Sequence, residues 1–450
     1  MRRKIYDKFV RWKNDSAGKT ALLIDGARRV GKSYIAEEFA KNEYASYILV
    51  DFNRASKAVL DIFDRYLDDL DTFFLFLSQY YGVKLHDRDS LIIFDEVQLY
   101  PRARAAVKYL VADGRYDYME TGSLMSIKKN VKDIVIPSEE RHIRMYPMDF
   151  EEFLWALGND TLTDFLRDCF EKRRPLGQAL HRKAMDYFRQ YLIVGGMPQA
   201  VSEYIGSKDF GRVDAIKRDI LDLYRADIIR HAAGYEMKVE SIFDEIPAQL
   251  QKHEKKFKLS SLKKEARFRE YEDAFFWLTD AMIVNPCYNT TEPNVGLKLN
   301  MSRMTMKCYM ADTGLLISHA FDENSIVSEE IYKKLLFDKL EVNNGMLVEN
   351  IVAQMLVAAG HKLYFYSNLS ADDRTSRMEI DFLISKNKIT SRHNISPIEV
   401  KSGKNYTISS LNKFIEKFSE QLYIPYVLHM GDLKETDNIV FLPIYMAMFL

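Results

Sequence analysis

The stretch Thr20–Asp25 followed by Gly26-Ala27-Arg28-Arg29-Val30-Gly31-Lys32-Ser33 leaves this chain few ways to fold. Its apolar residues make a strand buried on both faces, and helical spacing resumes over Lys32–Asn42. Strand, glycine-bounded loop and helix, in that order, are the first piece of a parallel α/β sheet. The loop satisfies G-x-x-x-x-G-K-[ST], a pattern whose glycines let backbone N–H groups point inward at phosphate oxygens. Lys32 adds positive charge at the β- and γ-phosphates, and the Ser33 hydroxyl ligates Mg²⁺. Gly26, Ala27, Arg28, Arg29, Val30, Gly31, Lys32 and Ser33 are therefore the residues expected to hold ATP.

A second element supplies the chemistry such a loop needs. Leu91-Ile92-Ile93-Phe94-Asp95-Glu96 is an apolar strand ending in two acids. Asp95 is expected to hold Mg²⁺, directly or through water, and Glu96 to polarise the attacking water. The next strand ends at Thr121-Gly122-Ser123, where Thr121 or Ser123 is either a γ-phosphate sensor or part of a polar turn. Arg141 and Arg144 flank a further short strand, and either can serve as an arginine finger or as a surface ion-pair partner.

The remaining periodicities divide the chain. Strands at Tyr47–Asp51, Ser90–Asp95 and Tyr116–Thr121 alternate with helices at Asp68–Tyr81 and Arg102–Ala112, completing an α/β domain over residues 1–148. Strand signals vanish over 149–234, which reads as a helical lid interrupted by Pro175 and by Gly195-Gly196-Met197-Pro198. Residues 235–320 show three helical patterns and then short strands around Met282–Pro286 and Lys307–Met310, the order of a winged helix-turn-helix. Residues 321–450 return to mixed α/β: a helix at Leu347–Ala359 and strands at Leu363–Tyr366, Glu379–Ser385 and Ile395–Lys401. A helix at Ser409–Phe418 and strands at Tyr426–His429 and Ile439–Leu442 follow.

From the phosphate loop to Glu152 the chain resembles a prokaryotic AAA+-like P-loop ATPase family with a C-terminal domain of unknown function. The matching words are the loop itself, Asp95-Glu96-Val97-Gln98, Thr121-Gly122-Ser123 and Pro147-Met148-Asp149-Phe150-Glu151-Glu152-Phe153. Met310-Ala311-Asp312-Thr313-Gly314-Leu315-Leu316, Glu349-Asn350, Glu379-Ile380-Asp381-Phe382 and Pro397-Ile398-Glu399-Val400-Lys401-Ser402-Gly403 extend the likeness over nearly the whole chain. One departure stands out: where the family usually shows Gly-Arg before its Pro-x-x-Phe-Glu-Glu-Phe segment, this chain has Glu140-Arg141.

The last domain carries an acidic constellation. Glu349 lies on a helix, Asp381 in a strand, and Glu399-Val400-Lys401 in the next strand, where alternation puts Glu399 and Lys401 on one side. Carboxylates about a metal with a lysine close by can activate water for phosphodiester cleavage. The order resembles the PD-(D/E)XK nucleases, which implies a restriction-endonuclease-like domain with Glu349, Asp381 and Glu399 at a metal and Asp381, Glu399 and Lys401 as cleavage residues. Alternating charge on a solvated sheet face is the other reading, and such a fold can also bind without cutting.

Composition limits the partners. With 64 basic and 65 acidic residues the net charge is −1, so a globally basic nucleic-acid binder is excluded. The segment Lys252–Arg269 is locally rich in cations, including Lys255, Lys256, Lys263 and Lys264, and suits salt-sensitive contact with DNA or a solvated helix face. Three cysteines at unrelated spacings fit a reducing, cytoplasmic setting, and no apolar run reaches the ~18 residues of a membrane span. The expected function is an ATP-hydrolysing protein acting on or with DNA. The alternative is a nucleotide-gated signalling switch whose C-terminal domain binds a protein partner, or a second copy of the chain, and cuts nothing.

Overall fold

The computed structural model describes residues 1–122, 138–252, 256–294, 296–322, 329–336, 344–368, 377–385, 393–403 and 405–450. Ser123 and Lys255 lie outside them. The chain forms two compact units, Met1–Tyr146 and Pro147–Leu450.

In the first unit, strands β1 (Ala21–Gly26), β2 (Ser46–Asp51), β3 (Ser90–Asp95), β4 (Asp117–Gly122) and β5 (Glu140–Met145) are all parallel, in the order β2-β3-β4-β1-β5. Every residue of β1, β3 and β4 is buried, as expected of central strands covered by helices. Helices α1 (Ile5–Ser16), α2 (Lys32–Glu43), α3 (Lys57–Tyr66), α4 (Leu70–Tyr81) and α5 (Pro101–Asp113) cover the sheet. Local chemistry sets their ends. Ser56 accepts from Val59 N and Asp69 from Thr72 N as N-caps, Pro101 opens α5, and Gly82 closes α4 in the left-handed region. Phe52, Phe63, Phe73 and Phe94 meet edge to face in one part of the core. Helices α1 and α3 were not among the expected elements, although Ile5, Phe9, Trp12 and Ser16 of α1 are buried at helical spacing.

The second unit begins with a capping box. The Asp149 carboxylate accepts from Glu152 N at 2.9 Å and Asp149 N donates to Glu152 Oε2 at 3.2 Å, so this motif starts the helix Phe150–Ala156. Helices Asp160–Glu171, Gln178–Val194, Pro198–Ser207, Phe210–His231 and Glu236–Gln251 follow. Next comes an eight-stranded mixed sheet in the order β12-β13-β11-β10-β9-β8-β6-β7. Its strands are β6 (Val284–Thr290), β7 (Met301–Met310), β8 (Tyr364–Asn368), β9 (Met378–Ser385), β10 (Ile395–Lys401), β11 (Tyr426–His429), β12 (Lys434–Thr436) and β13 (Ile439–Pro443). The apolar tail after β13 is a buried 3₁₀ turn, Ile444–Phe449.

Two features depart from the expected winged helix over 235–320. Between Glu236–Gln251 and Phe268–Asp280 the expected middle helix is one 3₁₀ turn, Leu259–Ser261. The β6–β7 hairpin also does not stand alone, because β6 pairs in parallel with β8. A boundary at residue 320 would therefore cut through one continuous sheet. Pairing the hairpin edge satisfies backbone groups that an isolated hairpin leaves open.

Two of the words that carry the resemblance, those holding Met148 and Asp312, meet Tyr191, Gly196 and Gln354 in a buried joint. Asp312 accepts from Gly196 N at 2.6 Å and Leu315 N at 2.9 Å, and Gln354 Nε2 reaches it at 3.3 Å. Gln354 also takes Thr313 N at 2.8 Å and donates to Tyr191 Oη at 3.0 Å, while Tyr191 donates to Met148 O at 2.7 Å. A Cβ on Gly196 would stand 2.1 Å from Met148 O, so only glycine lets these segments approach. Removing the Asp312 acceptor strands buried N–H groups; Asp312→Ala should cost roughly 3 kcal/mol or more in the unfolding of the second unit, measured by urea denaturation.

Candidate functional site

The phosphate loop grows out of β1 with a geometry that its glycines allow. A Cβ on Gly26 would meet Met145 O at 2.5 Å, and Gly31 turns into α2 with φ 94°. Arg29 also has positive φ, at 70°. Gly31 provides no side-chain cap, so the N-terminal N–H groups of α2 remain directed at the loop, the arrangement that receives anions. Lys32 folds back onto the loop, donating to Gly26 O at 2.9 Å and Ala27 O at 3.1 Å. Burial lowers its pKa, opposed by Glu96, Asp95 and Asp25.

Sheet order brings the acids to this loop. Strand β4 lies between β1 and β3, with Ile24 opposite Thr121 and Phe94 opposite Glu120. Thr121 thus stands between Asp95 and the loop strand. The Ser33 hydroxyl donates to Asp95 Oδ1 at 2.6 Å, and the Thr121 hydroxyl donates to the same oxygen. Burial raises the Asp95 pKa, with the two hydroxyl hydrogen bonds pulling the other way. Glu96 adopts a left-handed conformation, φ 53°, its N–H reaching Thr121 Oγ1 at 3.3 Å, and the Gln98 amide donates to its carboxylate. The Ser33 hydroxyl and the Asp95 carboxylate are two hard oxygen donors converging beside the open end of α2, a set that fits Mg²⁺ completed by phosphate and water oxygens.

The two arginines part company. In the β1–β5 register Asp25 lies opposite Arg144 and Leu22 opposite Arg141, so the side chains of Arg144 and Arg141 leave opposite faces of the sheet. Arg144 Nε is 3.8 Å from Asp25 Oδ2 at the root of the loop, whereas Arg141 is exposed on the other face. Glu140 is enclosed. Arg104 Nη2 lies 3.0 Å from it and His142 Nε2 2.6 Å from it. Burial alone would push Glu140 up, but the His142 and Arg104 hydrogen bonds hold its carboxyl below the usual value. Glu120, wholly buried 3.9 Å from Arg104, is driven well up by desolvation and then by Glu140. Arg104 and Glu120 were not expected here; the signal available was an arginine amid the buried alanines and valine of α5.

In the second unit the sheet gathers the acidic constellation and adds to it. Asp381 Oδ2 accepts from Val400 N at 2.8 Å, which sets β9 beside Glu399, and Lys401 Nζ bonds Glu399 Oε1 at 2.6 Å. Glu349, on the helix Asn344–Ala358, faces Lys307 of β7. Lys307 Nζ lies 3.1 Å from Glu349, 3.0 Å from Glu379 and 3.7 Å from Asp381. Among the described residues no group of three or more His, Cys, Asp or Glu side chains is arranged to hold a metal ion. Of the expected metal set, Glu349 and Asp381 face the Lys307 ammonium, while Glu399 pairs with Lys401. Lys307 and Glu379 were missed as site residues because nothing local marks a lysine three strands away in the sheet order.

Comparison with known proteins assigns the first unit. Residues 18–154 match the model of an AAA domain, while residues 185–325 and 344–446 match two domains of unknown function (DUF8612 and DUF4143). That first segment, with its phosphate loop and parallel sheet, is thus similar to an AAA domain. No curated protein matches it. Among solved structures it is similar to the Aeropyrum pernix ORC1 protein in complex with DNA, at 10% identity and TM-score 0.26, covering 72% of this chain and 93% of that one. The Drosophila ORC bound to DNA gives 12% and 0.28, over 71% and 95%. CDC6P from Pyrobaculum aerophilum gives 10% and 0.25, over 75% and 94%. Likeness at these scores carries no weight for this chain's overall fold or partners. Among the described residues no helix is long and apolar enough to cross a membrane.

Burial, then the charge of Asp381, pushes the Glu399 pKa from 4.5 up to about 7, with Lys401 opposing. The folded state then binds this proton more tightly than the unfolded chain, so stability falls as pH rises from 4.5 to about 7. Urea midpoints at pH 5 and pH 8 should show that fall in the wild type and a flatter profile in Glu399→Gln.

Proposed function

We propose that the chain binds ATP·Mg²⁺ on Gly26–Ser33 and hydrolyses it. The observation that carries this reading is the hydrogen bond of Ser33 Oγ to Asp95 Oδ1 at 2.6 Å beside the uncapped start of α2. Ser33 and Asp95 would hold Mg²⁺, which supplies charge neutralisation between the phosphates. Released from the loop carbonyls, Lys32 would bond phosphate oxygens. Glu96 would orient water, with Gln98 as the group that positions its carboxylate. Thr121, donating to Asp95 and accepting from Glu96 N, would report phosphate occupancy to both acids. Arg144, beside Asp25, is the better placed of the two arginines to reach a nucleotide on this loop.

Nucleic acid is the proposed partner. Lys258, Lys263, Lys264 and Arg267, between two helices, and Arg269, in the first turn of the second, are exposed, a charge excess suited to phosphate contacts. In this reading, 149–234 acts as a lid, 235–320 as a modified winged helix, and 321–450 as a nuclease-like domain. The Lys307 ion cluster favours the second reading, a nucleotide-gated switch whose C-terminal sheet recognises a partner without cutting.

ATP turnover by the purified chain, with and without duplex and single-stranded DNA, tests both. Lys32→Ala and Glu96→Gln should each lower kcat at least 100-fold, Glu96→Gln while retaining nucleotide binding. Stimulation by DNA that fades with added salt, and is reduced in Lys263→Ala/Lys264→Ala, supports the nucleic-acid reading. DNA-indifferent turnover supports the switch, and failure to bind ATP overturns the proposal.

A further inference from the structure

The carboxylates of the second unit are laid out as if around a cation, and the chain supplies that cation itself. Lys307 leaves β7 opposite Cys287 and points its ammonium to within 3.1 Å of Glu349, 3.0 Å of Glu379 and 3.7 Å of Asp381. The lysine and Glu349 side chains are almost wholly buried, and the Phe365 ring lies 5.0 Å from the ammonium. A buried ammonium among carboxylates is held by mutual neutralisation, since either charge alone would be costly to keep from water.

The remaining contacts are donors too. Tyr309 Oη donates to Glu349 Oε1 at 2.7 Å, the Ser367 hydroxyl to Glu379 Oε2 at 3.3 Å, and Val400 N to Asp381 Oδ2 at 2.8 Å. Glu349 Oε1 serves Lys307 and Tyr309 together. A Mg²⁺ or Ca²⁺ site needs converging oxygen lone pairs, typically six or more with waters included, at about 2.0–2.6 Å. Here Glu349 Oε1, Glu379 Oε2 and Asp381 Oδ2 are turned to N–H and O–H groups. Neighbouring Lys401 is likewise engaged by Glu399 at 2.6 Å.

We propose that Lys307 replaces a divalent metal ion, making this acidic centre a metal-free ionic joint that fixes the β6–β7 hairpin to β9 and to the helix Asn344–Ala358. The joint ties two segments that match separate domain models, because Lys307 falls within 185–325 and its three carboxylates within 344–446. It also predicts that the folded chain takes up no divalent ion at Asp381 and cleaves no phosphodiester there. This inference is independent of the ATP site.

The test is Mn²⁺ binding to the full chain without nucleotide, followed by electron paramagnetic resonance of the free ion. Wild type and Asp381→Asn should bind the same number of ions. Lys307→Met, which keeps the side-chain length and removes the charge, should gain one bound Mn²⁺ per chain, lost again in Lys307→Met/Asp381→Asn. A Mn²⁺ ion bound by wild type and lost in Asp381→Asn overturns the proposal, as does a folded Lys307→Met that gains none. Should Lys307→Met not fold, the comparison of wild type with Asp381→Asn still decides. Nicking of supercoiled DNA with Mg²⁺ gives a second readout: equal background for wild type and Asp381→Asn is expected, and activity lost with Asp381 overturns it.

Discussion

Ionisable side chains inside a sheet buried on both faces need either a strand end or a counter-charge, and that constraint organises both units. In the first unit β1 and β3 keep their acids for the carboxyl ends, Asp25 and Asp95, where loops begin and ligands can arrive. Where an acid falls within a strand, it is either pushed toward its neutral form, as burial does to Glu120 in β4, or met by a cation, as Arg104 meets Glu140 in β5. In the second unit, Lys307 does the same for Glu349, Glu379 and Asp381. Unpaired, any of these charges would oppose folding.

The constraint also separates the two acidic centres. Asp95 receives hydroxyl hydrogens from Ser33 and Thr121, which a metal can displace by rotating the donors away. The carboxylates about Lys307 receive a buried ammonium that contacts three of them at once. Similar residue types thus give an acid held by rotatable hydroxyls in one unit and acids held by a buried ammonium in the other. The departure Glu140-Arg141 follows the same logic: Glu140 is enclosed by Arg104 and His142, while Arg141 leaves the opposite face.

Some residues have mechanical rather than chemical roles. Asp149 and Glu152 form a capping box, and Gly196, Asp312, Thr313 and Gln354 form a joint in which a methyl group on Gly196 would strike Met148. None of these residues would draw notice as catalytic. Their value lies in satisfying buried backbone groups where helices and sheet meet.

What the sequence determined by itself is what depends on near neighbours. The loop Gly26–Ser33, the strand ending in Asp95-Glu96, and most strands and helices were legible because apolar period, glycine placement and capping act within a few residues. That Glu399 and Lys401 share one side of their strand was legible from alternation. Tertiary structure alone decided which arginine stands by the loop, since the odd, three-residue separation along β5 sends Arg141 and Arg144 to opposite faces. It alone merged the β6–β7 hairpin into the larger sheet and set Lys307 among the acids. Those outcomes rest on contacts between residues far apart in the chain, whose geometry no local pattern encodes, and they govern where charge can be buried.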